Sequence, residues 1–360
     1  MVVGVLGGGQ LARMLALEGY PLGLQFVVLD PSADVCSASV AEQLQGEYDD
    51  EKLLAELADK ADVVTYEFEN VPAAAVEFLT GKVPVYPPQQ ALAMAQDRLN
   101  EKTMFRALDI ATPEFAAVNS LAELEQAMEQ LGWPAVLKTR TQGYDGKGQA
   151  VLRQAEDLAT AWQSIGEVAA IVEAYVPFER EVSIIAVRSR NSEIACYPLT
   201  ENIHREGILR LSIARPGDVM QAQAEEYAKR VLKKLDYVGV LTLELFQSGD
   251  QLLANEFAPR VHNSGHWTQD GAETSQFENH LRAVLGLPLG ATDAIGYTAM
   301  VNLIGDIPRS DDVLVNTHSH LHLYGKTPRA GRKVGHINLR AQNKEALEAE
   351  LKLILKLAGE

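Results

Sequence analysis

The chain has 360 residues, 47% hydrophobic and 22% charged, a globular composition too long for one hydrophobic core, so two or three subdomains that can hold a cleft are expected. A formal charge of -17 sets its field against phosphate backbones and anionic membranes, and no apolar run approaches the roughly 20 residues of a membrane span, so no nucleic acid and no membrane is expected as a partner. Cys36 and Cys196 lie far apart without metal-ligand or redox spacing, and no basic leader precedes MVVGVLGGG, so the expected setting is a reducing cytoplasm.

In chain order, VVGVL, FVVL and DVVTY are β-branched runs separated by helical patterns, the rhythm of a doubly wound parallel βαβ sheet over the first ~95 residues. Pro84, Pro87 and Pro88 interrupt it. A polar helical stretch from Ala91 to Leu108 then leads to the turn at Thr112 and Pro113, which places a boundary near 90–112. From Pro134 a small α+β unit follows: strand AVLKT, a glycine-rich loop, strand QAVLR, a helix near 155–164 and strand AAIVEAYV. Beyond Glu181, strands VSIIAVR, IACYPLT and ILRLSIA, a helix near 221–235 and two acidic strands around SGDQ predict a larger antiparallel sheet. An amphipathic helix, EALEAELKLILKLAG, closes the chain.

Gly7, Gly9 and Ala12 after the first strand, with Asp30 ending the second, satisfy a dinucleotide-binding fingerprint. A glycine turn feeding a helix N-terminus serves any phosphate, and it also serves as a plain tight turn. A nicotinamide-dependent dehydrogenase and a mononucleotide enzyme therefore both stand at this point.

In LKTRTQGYDGKGQ, Lys138 ends a strand and Gly143, Gly146 and Gly148 surround Lys147, a pattern suited to a cover over phosphates or to a solvated hairpin. Glu173 and Glu181 flank a strand end, and Pro177 marks a linker where an adenine can dock on backbone groups. VGVLTLELF and LLANEFAPR flank Ser248, Gly249 and Asp250 and are expected to pair as a hairpin. With Phe246 facing Leu252, Glu244 faces Ala254, and Glu256 lies on the same side at a diagonal of about 7–8 Å. Two carboxylates on an otherwise apolar face either stand solvated on an exposed strand or call for a cation, and Mg²⁺ takes such oxygens while sharing nucleotide phosphates. The next loop, APRVHNSGHWTQDG, packs Arg260, His262, Asn263 and His266 together as a site floor. His318, His320 and His322 alternate as strand residues.

The glycine lid, the acidic pair in LELF and ANEFAPR, HNSGHWTQDG and GRKVGH resemble the ATP-grasp superfamily, and within it the 5-(carboxyamino)imidazole ribonucleotide synthases, over nearly the whole chain. Gln142 departs from the pattern by standing where that family is expected to place a second glycine. The resemblance implies an ATP-grasp fold: a pre-ATP-grasp, Rossmann-like domain over 1–95, a lid subdomain with linker helix over 96–175, and a large subdomain with the C-terminal substrate-phosphate region over 176–360. It also implies carboxylation of 5-aminoimidazole ribonucleotide with ATP and bicarbonate, through carboxyphosphate, by a homodimer. Arg98, Lys138, Gly143, Tyr144, Asp145, Gly146, Lys147, Gly148, Gln149, Glu173, Val176, Glu181, His204, Asn255 and Glu256 would line ATP. Glu244 and Glu256 would hold Mg²⁺, with Mn²⁺ able to substitute. Gln10, Leu11, Glu67, Asn263, Lys326, Arg332 and Lys333 would contact the ribonucleotide. Arg260 and His262 would bind bicarbonate, and Tyr144, Asp145 and Lys333 would shape the carboxylation pocket.

A formate-dependent phosphoribosylglycinamide ligase shares the glycine turn and a basic C-terminal phosphate site, but HNSGHW argues against it. A dehydrogenase leaves the lid and glutamate hairpin idle, and a non-catalytic nucleotide sensor would bind ATP without turnover.

Overall fold

The computed structural model describes residues 1–141, 143 and 148–360, and these form three sheets. The first is parallel, in the order β3-β2-β1-β4, from β1 (Val2–Leu6), α1 (Gln10–Gly19), β2 (Gln25–Asp30), β3 (Glu42–Gln45), α2 (Glu51–Lys60) and β4 (Val63–Tyr66). The central strands are buried on both faces, so continuous Val and Leu runs replace alternation. One face packs on α2 and α3 (Ala73–Thr80). The other packs, through α1, against a helix of the third sheet's layer.

The single helical stretch expected over Ala91 to Leu108 is instead two helices, α4 (Gln89–Ala95) and α5 (Arg98–Ala107). The cause is Asp97. Its carboxylate caps α5 by accepting from the Leu99 and Asn100 amides, and it also takes the Arg140 guanidinium from the second sheet.

The second sheet is antiparallel, in the order β5-β8-β6-β7: β5 (Phe115–Val118), α6 (Leu121–Leu131), β6 (Ala135–Thr139), β7 (Gln149–Leu152), α7 (Asp157–Ser164) and β8 (Ala170–Ala174). The helices α6 and α7 cover it around Leu124, Met128 and Trp162. Gln149 pairs with Lys138, so the glycine-rich segment spans the β6–β7 turn.

The third sheet has nine antiparallel strands: β9 (Arg180–Arg188), β10 (Ile194–Cys196), β11 (Thr200–Arg205), β12 (Ile208–Ala214), then α8 (Gln221–Lys234), β13 (Gly239–Ser248) and β14 (Gln251–Ala258). After α9 (Thr268–Gly271) and α10 (Gln276–Leu285) come β15 (Tyr297–Ile304), α11 (Ser310–Leu314), β16 (Ser319–Leu323), β17 (Lys333–Ala341) and α12 (Lys344–Leu357). The order is β14-β13-β9-β11-β12-β15-β17-β16, with β10 on β9. The amphipathic α12 lays Leu347, Leu351 and Ile354 against β15 and β17, a packing role. His280 of α10 joins the first and third sheets. Its Nδ1 accepts the Val240 N–H at 3.1 Å, leaving Nε2–H to donate to Thr65 Oγ1 at 2.9 Å, and burial holds the ring neutral, with its pKa near 4. No described helix is long and apolar enough to cross a membrane.

The β13–β14 register corrects the expected one. Phe246 pairs with Leu253 and Leu245 with Ala254, but Glu244 pairs with Glu256, so Asn255 is one residue extra in its strand. This β-bulge brings the two carboxylates directly opposite each other rather than diagonal.

Candidate active site

The glycine turn at the start of α1 is already filled from within the chain. Glu67, just beyond β4, accepts from the Gly9 and Ala12 amides, and Asp30 Oδ2 accepts from the Gly8 amide at 2.8 Å. A Cβ at Gly7, whose φ is +103°, would sit 2.5 Å from Glu67 Cγ. Two carboxylates thus occupy the amides a pyrophosphate would need, which excludes the dinucleotide reading. Burial pushes the Glu67 pKa above the usual carboxylate range, against the two amide hydrogen bonds.

Beside this turn opens a cavity of about 780 Å³ lined by residues from all three sheet-containing units. Gln10, Leu11 and Glu67 line it from the first unit, and Lys138, Gly143 and Gln149 from the second. Arg98 reaches it from α5. Glu181, His204, Glu244, Asn255, Glu256, Arg260, His262, Asn263 and Lys333 complete its wall from the third sheet and the loop after β14.

Charges alternate along this wall. Lys138 Nζ lies 3.2 Å from Glu173 Oε1 and 3.4 Å from Asn255 Oδ1. Lys102, fully buried, approaches Glu173 Oε2 at 3.1 Å and donates to the Ala254 carbonyl at 3.0 Å. Burial alone would raise the Glu173 pKa, but Lys138 and Lys102 outweigh it and hold it at about 2. Arg98 grips Glu256. Across the hairpin, Glu244 Oε1 lies 3.0 Å from His262 Nε2. Burial opposes ionisation there too, yet His262, His204 and Arg260 keep Glu244 at about 2, so the carboxylate is charged. His204 Nδ1 is 3.1 Å from Glu181, whose carboxylate lifts the imidazole above its ordinary value against the effect of burial.

Arg260 donates to Glu69, and Asn263 exchanges hydrogen bonds with Asn302 at 3.0 and 2.7 Å. His266 is a buried structural ring, hydrogen-bonded by Gln276 and packed on Phe277 and His336; burial, more than the nearby His262 and His322, keeps it neutral. His320 and His322 converge on Asp270 at 3.3 and 2.7 Å.

Residues 1–96 match the ribonucleotide synthetase preATP-grasp domain, residues 103–277 the ATP-grasp domain, and residues 298–350 the phosphoribosylaminoimidazole carboxylase C-terminal domain. The N5-carboxyaminoimidazole ribonucleotide synthase of Pseudomonas aeruginosa is 55% identical over 351 residues, 98% of each chain. The crystal structure of the Thermus thermophilus synthetase superimposes with a TM-score of 0.96 at 55% identity, covering 99% of each chain. That of the Aspergillus clavatus synthase, in complex with ADP and 5-aminoimidazole ribonucleotide, gives 0.91 at 30% identity, covering 99% of this chain and 98% of that one. The chain belongs to the N5-carboxyaminoimidazole ribonucleotide synthase family.

In this synthase-family chain, Tyr144, Asp145, Gly146 and Lys147, with the departure at Gln142, lie outside the described residues. Glu173, Val176, Gly148, Lys326 and Arg332 are set back from the cavity lining. Two of them reach it through partners: Glu173 through Lys138, and Lys326 by donating to Gln10 Oε1. Val176 sits half-buried in the linker and accepts the Phe178 N–H at 2.9 Å.

Several residues of the wall escaped the sequence reading. Phe178 and Phe246 stack with centroids 4.8 Å apart and offer an apolar face to a flat ring. Glu69 holds Arg260 in place. Glu101 accepts the Phe257 N–H at 2.6 Å; burial, with the Glu256 charge added, pushes its pKa up to about 8. The local signal for them was slight: Glu69 lies two residues after the predicted Glu67, Glu101 three after the predicted Arg98, Phe178 next to Pro177 and Phe246 two after Glu244.

Proposed function

We propose that this chain carboxylates the exocyclic amine of 5-aminoimidazole ribonucleotide, using ATP and bicarbonate and releasing ADP and phosphate, in de novo purine biosynthesis. One observation carries this reading: a single cavity is lined by a cation at Lys138, a carboxylate pair at Glu244 and Glu256, the Arg260–His262 floor, and Gln10 with Lys333. Phosphoryl transfer needs positioning and charge neutralisation more than a covalent nucleophile. Lys138, held by Glu173 and Asn255, would meet the nucleotide phosphates. Arg260, braced by Glu69, and His262, braced by Glu244, would orient bicarbonate at the far end of those phosphates. Carboxyphosphate hydrolyses in water, so the lid segment after Lys138 would exclude solvent until the amine captures the carboxyl group.

The opposed carboxylates fit a hard cation: Glu244 is ionised though half-buried, and Asn255 adds an amide oxygen beside them. Glu244 and Glu256 would hold Mg²⁺, or Mn²⁺, which would neutralise charge on the nucleotide phosphates. Gln10, Leu11, Glu67, Asn263, Lys326, Arg332 and Lys333 would hold the ribonucleotide. The reading includes a homodimer in the cytoplasm, and a division into units at about 95 and 175 as the resemblance suggests.

The test is ADP release with ATP and bicarbonate, with and without 5-aminoimidazole ribonucleotide, alongside trapping of labelled carboxylate. Stoichiometric carboxylation is expected. Formate dependence, or nucleotide binding without turnover, would overturn the reading.

A further inference from the structure

We propose that Ser264, Ser183, Asn202 and Ser212 form a directional hydrogen-bond relay that fixes the ring of His262 so that Nε2–H points at Glu244. The inference rests on the functional reading above, in which both residues serve the reaction. Ser183, Asn202 and Ser212 stand on the adjacent strands β9, β11 and β12, and Ser264 lies in the one-turn 3₁₀ segment Asn263–Gly265. All four are buried, none more than 6% exposed.

The direction follows from a group that cannot rotate. The backbone N–H of Ser264 points at His262 Nδ1 at 3.3 Å, so Nδ1 accepts and the ring proton resides on Nε2. The Ser264 hydroxyl, 2.9 Å from the same nitrogen, must then donate to it as well. With its own proton spent, Ser264 Oγ can only accept from Ser183, at 2.8 Å. Ser183 in turn accepts from the Asn202 amide at 3.0 Å, and Asn202 Oδ1 accepts from Ser212 at 2.8 Å. Every link runs one way. The Asn202 amide sets the polarity, because its two ends differ: oxygen toward Ser212 and nitrogen toward Ser183.

The consequence lies at the other end of the ring. Nε2–H meets Glu244 Oε1 at 3.0 Å, which holds one carboxylate oxygen and leaves Oε2 available to a cation. In the opposite tautomer a nitrogen lone pair would face the carboxylate, and both side chains would have to move. Partners that orient a histidine through its second nitrogen typically change activity by about 10–100-fold when removed. These four are positioning residues; they act through His262.

The test combines nitrogen NMR and kinetics on the full-length protein. The ¹⁵N shifts of the His262 ring are assigned by their loss in His262→Asn. Wild type should show Nε2 protonated and Nδ1 bare. Asn202→Asp replaces the amide by a group that can only accept, so Ser183 turns its proton toward the carboxylate and Ser264 turns its own toward Ser183. That variant should move the ring shifts toward a mixture of tautomers, whereas Ser264→Ala, which keeps the backbone N–H on Nδ1 and leaves no acceptor for an Nδ1 proton, should keep the proton on Nε2. Both should lower kcat about ten-fold while the KM for ATP stays within about two-fold. Should Asn202→Asp fail to fold, Ser183→Ala breaks the same relay without adding a charge. A wild-type ring protonated on Nδ1, or ring shifts unmoved in Asn202→Asp (or in Ser183→Ala in its place) whatever the kcat, would overturn the relay. Absence of bicarbonate-dependent ADP release in the wild type would sink the functional reading instead, and the ring shifts would still decide the relay.

Discussion

Glu244 and Glu256 face each other across β13 and β14 because Asn255 is one residue too many for its strand. Each carboxylate has its own cationic or donor partner, His262 for Glu244 and Arg98 for Glu256, which offsets the repulsion of two anions on paired positions. Glu256→Gln keeps the shape and removes one anion. Turnover should then drop at least ten-fold at limiting Mg²⁺ and recover in part at high Mg²⁺, because one fewer carboxylate weakens the affinity of a shared site. Titrating ADP release against Mg²⁺ checks this; wild-type rates at limiting metal would remove the pair from the cation site.

Lys138→Ala should raise the KM for ATP about ten-fold or more, since a charge-assisted contact to phosphate contributes roughly 1.5–3 kcal/mol. Lys138 is anchored for that task by Glu173 and Asn255. Equilibrium binding of ATP measured by calorimetry gives the answer. An unchanged dissociation constant would leave Lys138 as a structural partner of Glu173 alone.

Much of this arrangement was legible in the residues, and what was not has identifiable causes. Runs such as VVGVL and VVTY are buried on both faces and read directly as parallel strands. The alternation around LELF predicted the hairpin but not its register, because a bulge is decided by packing on both sides of a strand, and one residue of slip leaves the local pattern almost unchanged. The glycine turn was ambiguous for a similar reason: its amides are satisfied by Glu67, 58 residues on from Gly9, a contact that only the fold brings about. Lys102 looks like one polar helix residue among several, yet α5 packs that side against β14 and buries it completely.

That burial yields a pH prediction. The Glu173 carboxyl falls from 4.5 to about 2 on folding, because Lys138 and Lys102 outweigh the cost of burial. A depressed carboxylate contributes stability that is fully present above pH 4.5 and is lost as pH falls through about 2. Glu173→Gln should therefore be less stable than wild type by about 3 kcal/mol at pH 7, and the gap should close between pH 4.5 and 2. Urea unfolding midpoints of both proteins across that range test the sign. A gap independent of pH would mean that the loss came from packing and not from the ion pair.

The strongest specificity prediction concerns the basic segment before β17. Lys326 donates to Gln10 at the start of α1, Arg332 holds the Thr327 carbonyl at 3.1 Å, and Lys333 opens β17 on the cavity wall. Burial lowers the Lys326 pKa, and Arg332 and Lys333 add to the effect, so three like charges crowd one corner of an acidic protein. Glu67 already acts on Lys326 there, and a ribonucleotide 5′-phosphate beside Gln10 would add a further anion for this basic segment. Arg332 offers a two-pronged contact that a lysine cannot imitate. Arg332→Ala should raise the KM for 5-aminoimidazole ribonucleotide about ten-fold, at ~1.4 kcal/mol per decade, and leave the KM for ATP nearly unchanged. Arg329, exposed on the same loop, is the internal control: Arg329→Ala removes the same charge from the segment, so its effect should be small if Arg332 grips the phosphate specifically. Equal effects of the two substitutions would reduce the segment to a general electrostatic field. Loss of ATP affinity with ribonucleotide affinity retained would move the corner to the nucleotide side of the cavity.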